Sequence, residues 1–307
     1  MKFDKVVIIR SKTRLEQLIE RFNTKAQAKF YIERSGSEFG FYELEHNRFY
    51  EALQQLTAAV SIFDSYKILD RKFVHSYIFS DKDLILVLGQ DGLVANSAKY
   101  VLGRPIVAIN PDPETYDGIL LPYTVEKFKN QIQDIKKGKF NVQKITMAEA
   151  KFNDGQSLLA FNDFFIGTKS HVSARYKIRF NNKEETQSSS GIIVSTGAGS
   201  TGWMSSIFNM VNGINHFHKG SFQEVHHNVQ WNTDQLIFAV REPFLSQTTS
   251  VSLCFGEIAA GHDLEIESQM PDNGIVFSDG IEADAIRFTT GMSVKIGIAH
   301  QAANLIV

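Results

Sequence analysis

Two segments about a hundred residues apart share an order of residues that restricts what this chain can form. Residues 86–100 read LVLGQDGLVANSAKY, and residues 192–206 read IIVSTGAGSTGWMSS. In each segment an apolar run typical of a buried strand stops at small residues, and a helix-forming stretch follows. A strand that leads through a glycine-rich turn into a helix directs backbone N–H groups at solvent, where they suit phosphate oxygens. The sequence therefore predicts two strand–turn–helix units with phosphate-binding turns.

Length and composition exclude several classes of protein. The 307 residues, 43% hydrophobic and 21% charged, fit a folded chain of two domains. A net charge of −2 without a basic block gives no support for nucleic-acid binding. Cys254 is the single cysteine, which excludes an internal disulfide. Because no apolar run reaches the ~18 residues of a membrane span and the N-terminus lacks a signal-peptide core, we expect a soluble, cytoplasmic protein.

The periodic patterns predict two domains of different class. In residues 1–125 strands alternate with helices, which predicts an α/β domain with a parallel, doubly wound sheet. In residues 126–307 short apolar and β-branched runs predict a β-rich domain, and the last residues are expected to return to the first domain. We expect helices at 13–22, 49–62, 93–102 and 125–137, and strands at 5–9, 66–74, 83–89, 106–110, 140–147, 157–166, 174–180, 192–195, 235–240, 250–255, 263–268, 274–277 and 293–298.

The first turn, GQDG at residues 89–92, places one carboxylate between two glycines. A tight turn alone would use the same residues. However, the turn follows the most hydrophobic strand of the N-terminal half, and ligands of α/β sheets bind at the carboxyl ends of strands. The spacing matches neither the Walker A loop nor the Rossmann glycine pattern. One carboxylate beside a phosphate cradle is the minimum needed to move a phosphoryl group onto a hydroxyl, which makes Asp91 the candidate.

The second turn is crowded with hydroxyl groups. Burying a hydroxyl group costs free energy unless it is hydrogen-bonded. A surface loop would not be directly preceded by the apolar run GIIV and followed by Trp203, so a ligand-binding turn is favoured. The hydroxyl residues are Ser195, Thr196, Ser200, Thr201, Ser205 and Ser206, interleaved with Gly197, Gly199 and Gly202.

Two shorter signals accompany the turns. Asn162 and Asp163 interrupt an apolar run and fit either a turn between strands or a polar pair that reaches a ribose or a base. Asp279 and Gly280 follow another apolar run and have the composition of a type I′ hairpin turn. The polar stretch 209–232 contains His216, His218, His226 and His227, but without the companions of a zinc site, so we predict no metal site and leave its role open.

In this order the segments resemble the NAD kinase family, whose pattern is a GGDG turn, an Asn–acid pair, a TPTGSTAY-like run and a late Asp–Gly. The corresponding parts here are GQDG at 89–92, Asn162–Asp163, TGAGSTGW at 196–203 and Asp279–Gly280. The chain is most similar to the mitochondrial-type branch, through INPDPETYDGILLP at 109–122, SARYKI at 173–178, SSG at 189–191 and AVREP at 239–243.

The resemblance implies an NAD kinase/diacylglycerol kinase-like fold and phosphorylation of the adenosine-ribose 2′-hydroxyl of NAD or NADH by ATP with Mg²⁺. It also implies a homodimer or homotetramer. By motif position, Asp91 is the catalytic carboxylate, which would accept the hydroxyl proton or help to hold the metal. The implied substrate-binding residues are Gly92, Asn162, Asp163, Thr201, Gly202 and Ser206, and the implied phosphate- or nucleotide-binding residues are Gly89, Gln90, Gly199, Ser200 and Asp279; no metal ligand is implied.

The chain departs from the family pattern at two positions: Gln90 replaces the second glycine of the turn, and Trp203 stands where tyrosine is common. A kinase of the same fold acting on a sugar or lipid and a non-catalytic dinucleotide sensor are the alternatives. The sequence shows no membrane-docking amphipathic helix, which argues against a lipid, and a sensor has no need of Asp91. NAD or NADH, ATP or polyphosphate, and allosteric control stay open.

Overall fold

The computed structural model describes residues 3–217, 224–225 and 229–307. The chain divides into two compact units, Met1–Gln143 with Asn304–Val307, and Lys144–Ala303. Within the described ranges, no helix has the length and apolar character needed to cross a membrane.

The helices and strands follow one another in two blocks. Up to residue 145 the chain forms β1 (Lys5–Arg10), α1 (Arg14–Phe22), α2 (Lys25–Arg34), α3 (Gly40–Ala59), β2 (Ser65–Asp70), β3 (Asp83–Leu88), α4 (Asp91–Ala98), β4 (Pro105–Asn110), β5 (Tyr123–Thr124), α5 (Val125–Lys136) and β6 (Val142–Ile145). Then come β7 (Ala148–Phe152), β8 (Ser157–Ala160), β9 (Asp163–Thr168), β10 (Ala174–Phe180), β11 (Lys183–Ser189), β12 (Ile192–Ser195), α6 (Trp203–Phe217), β13 (Gln235–Val240), β14 (Phe255–Ala259), β15 (Leu264–Ser268), β16 (Gly274–Ser278), β17 (Ile281–Arg287), β18 (Ser293–Ile298) and β19 (Ala303–Ile306).

The first unit is built on a largely parallel sheet. Its strand order is β2-β1-β3-β4-β19-β6, with β5 beside β4. Strand β1 pairs in parallel with β2 and β3, and β4 pairs in parallel with β3, β5 and β19. Val6 and Ile8 of β1 share a core with α3 and α5, while Val7 and Ile9 on the opposite face are also fully buried. Burial on both faces is what helices covering a parallel sheet produce, which confirms the α/β prediction.

The carboxyl ends of β3 and β4 lie side by side. Leu88 at the end of β3 pairs with Ile109, one residue before the end of β4. The GQDG turn and the residues that follow β4 therefore leave the sheet at the same edge, where α/β sheets bind ligands.

The second unit is β-rich, as predicted. Two six-stranded sheets have the orders β11-β10-β15-β18-β7-β8 and β14-β13-β12-β9-β16-β17, with antiparallel pairing. One apolar core takes side chains from both sheets, among them Tyr176 and Ile178 from the first and Phe164 and Phe238 from the second. The unit is therefore a sandwich of two sheets.

Two tight hairpins in this unit have the predicted turn chemistry. Asn181 and Asn182 between β10 and β11 have φ of 48° and 62°, and Asp279 and Gly280 between β16 and β17 have φ of 54° and 70°. Two consecutive left-handed residues in a two-residue loop are the mark of a type I′ turn.

The boundary between the units differs from the expected one after residue 125. Helix α5 was expected to open the second domain, but Phe128, Ile132 and Ile135 lie buried in the core of the first unit. The units therefore divide after Gln143, and residues 304–307 belong to the first unit.

Several expected elements are corrected. Helix α2 lies where none was expected, and α3 begins at Gly40 instead of residue 49. The strand expected at 157–166 is two strands, because the chain turns at Phe161–Asn162 between β8 and β9. The helix expected at 93–102 starts earlier, at Asp91, and ends at Ala98.

The other corrections concern strand limits. The strand expected at 66–74 ends at Asp70 and continues as a 3-10 turn, Arg71–Ser76. The strand expected at 250–255 is absent over 250–254, and strand β14 begins at Phe255. The start of the polar stretch 209–232 is the end of helix α6, and residues 218–223 and 226–228 of that stretch lie outside the described residues.

Candidate functional site

The predicted site residues lie in both compact units. Gly89, Gln90, Asp91 and Gly92 belong to the first unit, and the other eight belong to the second. Each unit brings its own residues together around one turn and the segment that holds it.

In the first unit, helix α4 begins with an open N-terminus. Gln90 is the N-cap residue, but its side chain makes no capping hydrogen bond. Gly92 is exposed, and a Cβ placed on it would meet no atom within 4 Å. Free N–H groups and the positive end of the helix dipole attract anions. The start of α4 is therefore suited to a phosphate group.

Asp91 is fixed beside this N-terminus by two backbone donors. The N–H of Leu120 donates to Asp91 Oδ1 at 2.9 Å, and the N–H of Ile119 donates to Oδ2 at 3.2 Å. The two donors orient the carboxylate, and each oxygen keeps a lone pair for another partner.

The donors come from residues 111–122, which we call the β4–β5 loop. Asn110, the last residue of β4, shapes this loop: its Nδ2 donates to the Tyr116 carbonyl at 2.8 Å, and its Oδ1 accepts from the Asp112 N–H at 3.0 Å. Gly118 has a φ of +62°, and a Cβ there would lie 2.9 Å from Asn110 Nδ2. Asn110 and Gly118 were not predicted as site-forming residues, although a polar residue at the end of a parallel strand is a detectable signal.

Gly89 and Gln90 differ in what they do. The Gly89 N–H donates to the Ile109 carbonyl at 3.2 Å, and a Cβ on Gly89 would lie 2.8 Å from Leu93 Cδ2. Gly89 thus allows the turn to pack closely, whereas Gln90 is exposed and makes no capping hydrogen bond.

In the second unit, Asp279 holds the turn between β8 and β9. Its carboxylate accepts hydrogen bonds from the N–H groups of Phe161, Asn162 and Asp163 at 3.0, 2.6 and 3.3 Å. The Asp279 N–H in turn donates to the Asp163 carbonyl at 2.9 Å. The resemblance predicts that Asp279 binds the nucleotide or its phosphate; in the structure its carboxylate holds this turn.

Asp163 is a buried carboxyl at the start of β9. Burial, and secondarily the negative charge of Asp279, raise the pKa of Asp163 to about 7. The side-chain amide of neighbouring Asn162 makes no hydrogen bond to any described residue. An acid that titrates near neutrality beside an uncommitted amide is a pair that can bind the hydroxyls of a sugar.

Three N–H groups of the second glycine turn, which was predicted to direct open donors at phosphate, bond within the protein. The N–H of Gly199 donates to Thr196 Oγ1, that of Ser200 to the Gly197 carbonyl, and that of Gly202 to the Gly199 carbonyl, at 3.2, 3.3 and 2.9 Å. The 3-10 turn Gly199–Thr201 thus satisfies donors that the sequence analysis assigned to phosphate.

Most hydroxyls of this segment also bond within the protein. The exceptions are Thr201 and Ser206, both exposed, whose hydroxyls make no hydrogen bond to the described residues. These two side chains are therefore available to a ligand. The bonded hydroxyls are those of Ser195 (to the Thr196 carbonyl, 3.1 Å), Thr196 (to Phe161, 2.6 Å), Ser200 (to Gly197, 2.7 Å) and Ser205 (to Gly202, 2.8 Å).

Gly199 joins the glycine turn to the Asn162 turn. A Cβ at position 199 would collide with the Asn162 carbonyl oxygen and would lie 2.6 Å from its carbon and 2.7 Å from Ser195 Oγ. The structure thereby brings Asn162, Asp163, Gly199 and Asp279 into one cluster. Gly202 and Ser206 lie at the beginning of α6, next to this cluster in the chain.

An aromatic face borders the start of α6. The rings of Trp203 and Phe165 stack with centroids 5.7 Å apart and an angle of 10°. The Arg241 guanidinium lies 5.5 Å from the Trp203 ring. Phe165 was not among the expected site residues, and Arg241 appeared only within the AVREP segment.

The described residues contain no cluster of three or more His, Cys, Asp or Glu that could hold a metal ion. His216 faces Glu224, with Nε2 and Oε1 3.3 Å apart. His218, His226 and His227 lie outside the described residues.

Comparison with known proteins gives related sequences for part of the chain. No family model matches it. It is 28% identical over 137 residues to an NAD kinase of Saccharolobus solfataricus, covering 45% of this chain and 53% of the relative. It is 29% identical over 132 residues to an NAD kinase of Clostridium kluyveri, covering 40% and 45%. The chain spans about half the length of the curated relatives it matches.

Solved structures match the fold along the whole chain. Yeast NADH kinase complexed with NADH aligns with a TM-score of 0.61 at 13% identity, covering 100% of this chain and 84% of the neighbour. An NAD kinase from Archaeoglobus fulgidus in complex with ATP aligns with a TM-score of 0.56 at 16% identity, covering 99% and 93%. The expected fold class is confirmed.

Proposed function

We propose that the chain is a member of the NAD kinase family and transfers the terminal phosphoryl group of MgATP to the 2′-hydroxyl on the adenosine ribose of NAD or NADH. The observation that carries the proposal is the Asp91 carboxylate, held by two backbone N–H groups beside the open N-terminus of α4. Together they supply a phosphate site and a proton acceptor.

The donor nucleotide would bind with its phosphates at the start of α4, where exposed Gly92 lets them approach the backbone. Mg²⁺ would enter as part of MgATP. Because the described residues offer no cluster of three metal-ligating side chains, the ion would rely on phosphate oxygens, water and at most one or two carboxylates.

Asp91 would act on the acceptor hydroxyl. As the new bond forms between O2′ and the γ-phosphorus, the bond from that phosphorus to the β–γ bridging oxygen breaks, ADP leaves, and the hydroxyl proton passes to Asp91. Phosphoryl transfer has a loose transition state in most analyses, so positioning and charge matter more than a strong base. A carboxylate with a fixed orientation meets this requirement.

The dinucleotide would be held by groups of the second unit that the protein does not use internally. The Asn162 amide and the Asp163 carboxyl suit ribose hydroxyls, and the Thr201 and Ser206 hydroxyls suit polar atoms of the dinucleotide. Trp203 offers an aromatic face for a base. In this proposal Gly199 and Ser200 shape the turn, while Gly202 allows close approach at the start of α6.

Finer assignments follow from the resemblance. The INPDPETYDGILLP segment supports placement in the mitochondrial-type branch. A homodimer or homotetramer and a cytoplasmic location complete the proposal, and size-exclusion chromatography with light scattering tests the first of these.

The proposal is tested with purified protein. The protein is incubated with Mg²⁺, with ATP or polyphosphate as donor, and with NAD or NADH as acceptor, and NADP(H) is measured with an NADP-specific enzyme. Formation of NADP(H) that depends on the donor supports the proposal. Binding of NAD and NADH without conversion would favour a sensor, and absence of binding would refute the acceptor assignment.

A further inference from the structure

The β4–β5 loop, residues 111–122, has no helix or strand of its own, yet it supplies both backbone donors to Asp91. Its middle is open to solvent, and Pro113, Glu114, Thr115 and Asp117 are exposed. A loop of this length needs anchors beyond its ends if its amides are to stay in place, because each unfixed residue retains conformational entropy.

Arg48 on helix α3 supplies such an anchor. Its Nη1 lies 2.9 and 3.1 Å from the two carboxylate oxygens of Asp112, and its Nη2 lies 2.8 Å from Glu114 Oε2. Nη1 also lies 3.4 Å from Thr115 Oγ1. One planar guanidinium thus contacts the three polar side chains among residues 112–115, a geometry that a lysine does not reproduce.

Arg48 extends from a rigid support. Its neighbour Phe49, together with Leu53 and Leu56 one and two turns further along α3, is buried in the core of the first unit. The position of the guanidinium is therefore tied to the sheet that ends in the GQDG turn.

Asp112 connects Arg48 to the backbone of the β4–β5 loop. Its side chain is only 9% exposed, and its carbonyl accepts hydrogen bonds from the N–H groups of Thr115 and Tyr116 at 3.2 and 3.0 Å. The Tyr116 carbonyl is held by Asn110, and two residues later the left-handed Gly118 turns the chain so that Ile119 and Leu120 face Asp91.

We propose that Arg48 is a positioning residue for phosphoryl transfer: through Asp112 it fixes the β4–β5 loop, whose Ile119 and Leu120 amides orient Asp91. This inference rests on the proposed function. Arg48 does not touch substrate in this account, and its effect passes through Asp91.

The test compares kcat and KM of the full chain for NAD and for MgATP. Arg48→Gln is expected to lower kcat about tenfold, because small displacements of a reacting group cost one to two orders of magnitude, while both KM values change less than about twofold. Lys25→Gln is the matched control. It breaks the ion pair between Lys25 on α2 and Glu43, which lies on α3 like Arg48 but makes no contact with the β4–β5 loop in that pair. It is expected to leave kcat and KM unchanged.

Asp112→Asn removes the same link from the other side and is expected to lower kcat by a similar factor. If Arg48→Gln does not fold, the kcat of Asp112→Asn tests the inference instead. Arg48→Lys keeps the positive charge but lacks the several donors of the planar guanidinium. Its kcat is expected to lie between those of Arg48→Gln and the unmodified chain.

The route through Asp91 is tested in single turnovers. In an Asp91→Asn background, Arg48→Gln is expected to cause no further loss of the residual rate. If Arg48→Gln lowers the rate as much in the Asp91→Asn background as in the unmodified chain, its role is generally structural and the inference is overturned. The inference is also overturned if kcat of both Arg48→Gln and Asp112→Asn stays within twofold of that of the unmodified chain. Absence of NADP(H) formation by the unmodified chain would instead refute the proposed function.

Discussion

Asp279 accepts a hydrogen bond of 2.6 Å at its Oδ1 from the N–H of Asn162, which lies 117 positions earlier in the sequence. This is the shortest of the three bonds that Asp279 accepts from the turn between β8 and β9. A type I′ turn in one hairpin thereby fixes the conformation of a turn in another pair of strands. The Asn162 amide and the Asp163 carboxyl owe their placement to this contact.

Removing the negative charge of Asp279 is expected to loosen that turn. Asn tolerates the left-handed conformation, but Asp279→Asn weakens the two hydrogen bonds to Oδ1 and replaces Oδ2, the acceptor of the Phe161 N–H, with an amide nitrogen that cannot accept. We expect a loss of about 1–3 kcal/mol in the free energy of unfolding, measured in urea, and a raised KM for NAD. Asn182→Asp, in the other type I′ turn, is the control and is expected to leave KM for NAD unchanged.

The raised pKa of Asp163 makes stability depend on pH in an unusual direction. Its folded value of about 7 lies above the ordinary 3.8, so between these values the folded state binds more protons than the unfolded state. Stability from this group is present below about pH 4 and is lost as pH rises through 7. Asp163→Asn, which stays neutral, is expected to be more stable than the unmodified chain at pH 8, by at most about 4 kcal/mol, with the advantage shrinking toward pH 4.

Urea unfolding at several pH values checks this prediction. Asp154→Asn is the control, because hydrogen bonds from Gln156 hold the pKa of Asp154 below its ordinary value. That variant is expected to lose stability at neutral pH instead. A difference between Asp163→Asn and the unmodified chain that stays flat from pH 4 to 8 would show that folding does not raise the pKa of Asp163.

Short strands of the second unit were predictable because their limits are local. Strand β10 ends where Asn181 and Asn182 form a turn, and β12 ends where the glycine turn begins. Helix α2 escaped prediction because only Ala28 and Ile32 of it are buried, which is too sparse for an apolar stripe. Residues 250–254 form no continuous strand: Ser250 and Cys254 make backbone hydrogen bonds to Thr186 and Val240, but the Leu253 N–H between them donates to the Glu185 side chain.

The sequence motifs predict candidate site positions, but they do not predict the hydrogen-bond partners of the side chains at those positions. The motifs located Asp91, Asn162, Thr196 and Asp279 without showing which of their polar groups bond inside the protein. Thr196 Oγ1 donates to the Phe161 carbonyl 35 residues earlier, and the donors to Asp91 lie 28 and 29 residues later. Partners this distant along the chain depend on the tertiary fold, which local patterns do not encode.

Gly199 is expected to tolerate no larger residue. In Gly199→Ala the new methyl group would collide with the Asn162 carbonyl oxygen, and relieving that contact is expected to cost about 1–3 kcal/mol of stability and to raise KM for NAD. Gly213→Ala is the matched control inside helix α6, where a Cβ meets no atom within 4 Å. It is expected to stabilise the protein by about 0.5–1 kcal/mol. Equal melting temperatures for the two variants would contradict the packing described for Gly199.

The most direct test of the account compares NADP formation by the unmodified chain and by Asp91→Asn, with MgATP and NAD at saturating concentrations. Asn keeps the shape of the side chain and one acceptor oxygen for the β4–β5 loop but is no longer a base. We predict that the unmodified chain forms NADP and that Asp91→Asn still binds NAD but loses nearly all turnover, by a factor of about 10² or more. Turnover by Asp91→Asn at more than a few per cent of the unmodified rate would contradict the assignment of Asp91 as the proton acceptor.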